Sequence, residues 1–116
     1  SILSASAYTE QVFVHGFGGA YTHVTSSHHT ASVGEYILGI ATPFTGGTDP
    51  VRVTLPTATS MGSGSMMIIK DEVSVRGGSR IDLASTDKID GSTTYTLTGS
   101  MPAISLYSNG SNWFVF

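Results

Sequence analysis

The chain has 116 residues, 40% of them hydrophobic and 11% charged, with 14 glycines, no cysteine and a formal net charge of −3. That length fits one domain with a modest core, and the hydrophobicity excludes disorder, which needs few apolar residues and high net charge. The five cations, Arg52, Lys70, Arg76, Arg80 and Lys88, form no run, so a phosphate-tracking nucleic-acid surface is excluded, and the absence of cysteine removes disulfide staples and thiolate metal sites.

The first residues, Ser1-Ile2-Leu3-Ser4-Ala5-Ser6-Ala7, carry no positive charge, so they do not read as a signal peptide. A start without methionine is expected of a fragment cut from a longer chain. No apolar run approaches a membrane span, and no membrane insertion is expected. Gly, Ser, Thr and β-branched residues interrupt every helical period, while period-2 alternation recurs. Strands are predicted over residues 11–15, 21–25, 35–40, 51–55, 65–70, 72–75, 80–83, 93–98, 103–107 and 112–116, with one helical turn near 57–61 after Pro56. Gly16, Gly18-Gly19, Gly46-Gly47, Asp49-Pro50, Gly62, Gly64, Gly77-Gly78, Asp90-Gly91 and Asn109-Gly110 punctuate them. Asp-Gly and Asn-Gly supply the positive-φ residues of tight hairpins. A terminal hairpin through Asn109-Gly110 is therefore expected. Short strands at roughly 8–12-residue spacing point to an all-β antiparallel sandwich or barrel-like head of about eight to ten strands. Residues 1–116 form a single domain in this reading, with 1–33 as variable N-terminal strands or an arm and 34–116 as the body.

Within this frame the alternation assigns faces. Val51, Val53 and Leu55 share one face, with Arg52 and Thr54 on the other. Met66-Met67-Ile68-Ile69 is apolar on both faces, as in a central strand covered twice. The end of the chain, Trp113-Phe114-Val115-Phe116, is also apolar on both faces and has no polar tail. Ends are frayed and polar unless tied down, so Trp113, Phe114 and Phe116 are candidates for a subunit interface.

The chemistry-bearing residues assemble into no catalytic motif. His15, His23, His28 and His29 all precede residue 30, yet no His-x-His pair or carboxylate cluster accompanies them, so no metal and no cofactor is expected. His28 and His29 would point to opposite faces of an extended strand. A glycosidase needs two facing carboxylates, whereas Asp49, Asp87 and Asp90 stand in turn contexts and Asp71 and Glu72 alternate. No serine lies in G-x-S-x-G or S-x-x-K. Gly16-Phe17-Gly18-Gly19 lacks the lysine and helix of a phosphate loop. The row Thr94, Thr96, Thr98 reads as a solvated strand face. Most of the aromatics must be core. Phe17 and Tyr21 among glycines and histidines, with Phe44 in the loop Thr42-Pro43-Phe44-Thr45-Gly46-Gly47, are the candidate ligand contacts, together with His28 and His29. Loops on rigid β scaffolds carry binding more often than strands do.

From about Glu35 onward, roughly two thirds of the chain resembles the C-terminal head domains of phage or virus fibre, tail-needle or spike proteins. The resemblance rests on Val51-Arg52-Val53-Thr54-Leu55-Pro56, Met67-Ile68-Ile69-Lys70-Asp71, Ile89-Asp90-Gly91-Ser92 and the run from Leu106 through Trp113. It implies a homotrimer on the virion surface, at a fibre, tail or spike tip. The rest of the appendage would attach through the N-terminal side. It further implies a non-enzymatic domain that meets a host-surface glycan or protein receptor. A structural trimerisation cap without receptor contact is the alternative, and a polysaccharide-processing enzyme a second.

Overall fold

The computed structural model describes residues 20–43, 49–74 and 80–116. Within them the chain forms β1 (Tyr21–Val24), β2 (His28–Thr30), β3 (Ile37–Ile40), β4 (Val51–Thr54), α1 (Ala58–Met61), β5 (Met66–Asp71), β6 (Ile81–Ile89), β7 (Ser92–Leu97), β8 (Ala103–Ser108) and β9 (Trp113–Val115). These strands make one sheet in the order β1-β3-β5-β8-β9-β6-β4-β2, with β7 on β6. The sheet folds back on itself into a nearly closed, barrel-like body. The all-β, barrel-like expectation holds.

Strand direction differs from the antiparallel expectation. β1, β3 and β5 pair in parallel, and so do β2, β4 and β6. The chain therefore coils: β1–β2, β3–β4 and β5–β6 are three stacked turns, each giving one strand to either wall. A parallel pair needs a long crossover, and here each crossover carries the strand of the opposite wall. Antiparallel pairing enters only with the C-terminal strands, in β5–β8, β6–β7 and β8–β9. Half-buried alternation looks the same in either direction, which is why the sequence does not disclose the coil. The stretch predicted as a strand at 72–75 is not one over its described residues 72–74, and β2 is a strand where none was predicted. β1 and β2 are the first turn of the stack and pair with β3 and β4 in the same sheet as the body.

Register stacks like on like. Leu38, Ile69 and Ile104 form one inner column, and Val53, Leu83 and Tyr95 the facing one. Val24, Ile40, Val51, Met67, Ile81 and Leu106 fill the core around them. Each fully buried Leu or Ile contributes about 1.5–3 kcal/mol of burial free energy. At the first turn the columns end in polar groups. Thr22 and His29 occupy the inner positions there, and both reach Glu35.

The last strand closes the two walls. Trp113 pairs with Ser108 of β8 on one side and Ile89 of β6 on the other. Its indole is 0% exposed, and its Nε1 donates to the carbonyl of Pro56 at 3.1 Å. Pro56 follows β4, where a residue without an N–H ends the ladder. α1 begins at once, capped by the Thr57 hydroxyl accepting from the Ser60 amide. Asp87, expected in a turn, lies in the irregular part of β6 and accepts from the Ala58 amide at 2.7 Å, seating that helical turn. The Asp90-Gly91 hairpin forms as predicted, with φ of 48° and 88°. The terminal hairpin also forms, through a four-residue loop, 109–112, in which Asn109 Oδ1 accepts from the Ser111 and Asn112 amides.

Candidate functional site

Outward residues of β2, β4, β6 and β7 form two rows across one wall. His28, Arg52, Asp82 and Thr96 are neighbours in the first row, and Thr30, Thr54, Ala84 and Thr94 in the second. Together they line a groove of about 550 Å³, within the roughly 300–1,000 Å³ of small-ligand sites. Four strands at about 4.8 Å spacing make it ~14 Å across. Ala84 stands between Thr54 and Thr94 and keeps the floor low with a single methyl.

The groove is polar and rich in hydroxyls. Among the described residues, the hydroxyls of Thr30, Thr54, Thr94 and Thr96 have no protein partner, and Arg52 makes no ion pair or side-chain hydrogen bond. Among the described residues Asp82 is the one carboxylate lining it, and Arg80 Nε approaches its Oδ1 at 3.5 Å. A pair of facing carboxylates, as glycoside hydrolysis requires, is not assembled there. Among the described residues no group of three or more His, Asp or Glu is arranged to hold a metal.

The outer surface of the other wall is of the opposite kind. Met66, Tyr107 and Phe114 are register neighbours on β5, β8 and β9. The Tyr107 and Phe114 rings stack at 5.5 Å, and Phe116 meets Tyr107 edge-on at 5.7 Å. Phe116 is 65% exposed, Met66 40% and Tyr107 38%. Ile37 and Ile68, paired and half-buried, continue this apolar strip towards β1.

The predicted site residues divide between these walls. His28 faces the groove. His29 alternates inward as expected, half-buried, with its Nε2 3.1 Å from Glu35 Oε1, while one edge still reaches the groove. Partial burial alone would raise the Glu35 carboxyl. The Ser32 amide, the Thr22 hydroxyl and the His29 ring outweigh it and hold the carboxyl below its ordinary value. Tyr21 lies on the opposite wall from His28, exposed, and its hydroxyl donates to Glu72 Oε1 at 2.8 Å. That bond to a carboxylate raises the phenol above its ordinary value. Tyr21 and His28 therefore do not share a site.

Gly39, on the outward face beneath this pair, is required by close approach. A Cβ there would stand 2.3 Å from the Tyr21 hydroxyl and 2.4 Å from Glu72 Oε2. Phe17 and Phe44 lie outside the described residues. Trp113 is enclosed by its own chain, so its side chain offers no area to a neighbouring subunit. This corrects its expected interface role. Its flanking residues Phe114 and Phe116 do face outward. Arg52, Thr54, Thr30 and Asp82 were not singled out from the sequence. Only the T-x-T pattern at Thr94 and Thr96 and the outward parity of Arg52 and Thr54 were visible there, on segments 42 residues apart (52 to 94).

No protein-family model matches the chain, and no curated protein sequence matches it. Function is accordingly read from the site itself.

Proposed function

We propose that this chain is a non-enzymatic attachment domain of a phage or virus fibre or spike, which engages a host-surface glycan through the groove of the β2-β4-β6-β7 wall. The observation that carries the reading is the set of threonine hydroxyls, unpartnered among the described residues, around a low floor on strands held rigid by the stacked core. Sugar rings present hydroxyls as both donors and acceptors, and hydroxyl side chains match both roles. A single weak site is sufficient when several copies act together, because linked sites multiply avidity. The resemblance to fibre heads supplies the setting, a virion-surface homotrimer joined to the rest of the appendage through its N-terminal side.

The aromatic strip on the opposite wall supports the trimer. Tyr107, Phe114, Phe116 and Met66 would pack between subunits in that assembly, leaving the grooves outward. This strip also favours the second reading, a trimerisation cap with no receptor contact.

One pair of measurements separates the two. Ala84→Trp fills the groove floor without touching the core. Attachment predicts that the variant stays trimeric by light scattering and loses binding to host cells. A cap predicts that host-cell binding is absent in the parent chain and that the variant behaves identically. A parent chain that stays monomeric at micromolar concentration removes the subunit packing from both.

A further inference from the structure

Resting on the groove being the receptor site, we propose that it selects saccharides bearing a carboxylate, uronic or sialic in type, and that Arg52 is the residue that reads this charge. Among the described residues, the charged groups lining the groove are Arg52, Asp82 and, when protonated, His28 and His29, the last held by Glu35. Asp82 has Arg80 at 3.5 Å, so its charge is offset within the wall. Arg52, its cross-strand neighbour, makes no ion pair among the described residues. It stands at the centre of the first row, between His28 and Asp82, with Thr54 two residues along the same strand. Among the described residues the groove thus presents one guanidinium that makes no ion pair, with Asp82 beside it and neutral hydroxyls around both.

That pattern fits a particular ligand chemistry. A planar guanidinium grips a carboxylate with two parallel N–H donors, a geometry that an ammonium does not offer. The flanking hydroxyls suit the ring substituents beside the acid group. Densely sulfated or phosphorylated polymers are held by several cations acting together, and among the described residues Arg52 is the one Arg or Lys that lines the groove. The match is to a single carboxylate per repeating unit, with neutral hydroxyls between charges.

The test uses the full chain with oligogalacturonate and sialyllactose, their carboxyl-reduced counterparts, and dextran sulfate as a densely charged polymer, each titrated by calorimetry. At least one acidic saccharide is expected to bind, and its reduced form to bind about tenfold weaker or less, the scale of one charged hydrogen-bonded contact. Arg52→Gln is expected to lose the same factor for the acidic form and nothing for the reduced form. Arg52→Lys should recover only part of it. Raising salt should weaken the acidic form alone. Because Arg52 is exposed, an unchanged melting temperature verifies that Arg52→Gln is folded.

Equal binding of acidic and reduced saccharides overturns the proposal, as does an Arg52→Gln variant with undiminished acid binding, tightest binding to dextran sulfate, or no binding of any acidic saccharide. The groove reading fails separately. If Ala84→Trp leaves host-cell binding intact, the groove is not the receptor site. If Ala84→Trp abolishes that binding while Arg52→Gln leaves it unweakened, the groove stands and its acid selectivity does not.

Discussion

The two walls of this stack share one core and one coil, yet their outer surfaces are opposites. The β2-β4-β6-β7 wall shows His28, Arg52, Asp82 and four threonines around a groove, whereas the β5-β8-β9 part of the other wall shows Met66, Tyr107, Phe114 and Phe116. Both are built from strands of identical inner periodicity. Outward positions in a coil are free of the demands of the core, so each wall can be chemically specialised without affecting the other. Hydroxyls that keep their hydration are suited to reversible sugar contacts, and clustered exposed aromatics are suited to a protein interface.

The largest effect should come from what the walls have in common. Trp113→Ala removes the buried side chain at the seam and its bond to Pro56, and should cost about 3–5 kcal/mol. Denaturant unfolding measures it, and a loss below about 1 kcal/mol would show that the walls are held together elsewhere. Next, Tyr107→Glu with Phe116→Glu places charge on the apolar wall alone. The proposed trimer should dissociate by light scattering, while the affinity of each groove for its saccharide stays within about twofold, as expected for distant sites. A simultaneous loss of groove affinity would mean that the walls are coupled.

Two smaller changes sharpen the contrast at the first turns. Gly39→Ala displaces the Tyr21–Glu72 bond on the apolar wall. The displaced atoms are the far ends of flexible side chains, so thermal unfolding should show a loss of only about 1 kcal/mol, with the groove unaffected. The smallest effect belongs to Glu35, which joins inner residues of both walls through Thr22 and His29. Its carboxyl is held below its ordinary value in the folded chain. Its contribution is therefore complete above the unfolded-state value, about 4.3, and fades as pH falls through the lower folded value. Glu35→Gln should lower stability slightly at neutral pH, where this contribution is complete, and flatten the acid limb of a stability–pH curve, so that the variant and parent curves converge in acid. A variant whose acid limb is unchanged would remove Glu35 from the account.

Much of the local structure was legible in the residues. Val51, Val53 and Leu55 inward with Arg52 and Thr54 outward, the hairpin at Asp90-Gly91, the helical turn after Pro56 and the paired strands around Asn109 follow from side-chain alternation, proline's missing N–H and the φ preferences of Gly and Asn. The opposite facing of His28 and His29 was legible for the same reason. The groove was not. Its residues come from β2, β4, β6 and β7, and what makes them neighbours is register, which depends on how columns such as Val53–Leu83 align in the core. Thr94 and Thr96 were read as a solvated face because their partners, Thr30 and Thr54, are distant in sequence.

Taken alone, then, the sequence determined that this is an all-β chain, where most strands lie and which way their side chains alternate, because these depend on interactions within a few residues. The coil of parallel turns, the enclosure of Trp113 by its own chain, and the separation of a hydroxyl-lined wall from an aromatic one were decided only by the tertiary structure. Strand partner and direction are set by long-range burial of the inner columns, and period-2 alternation is the same for either direction.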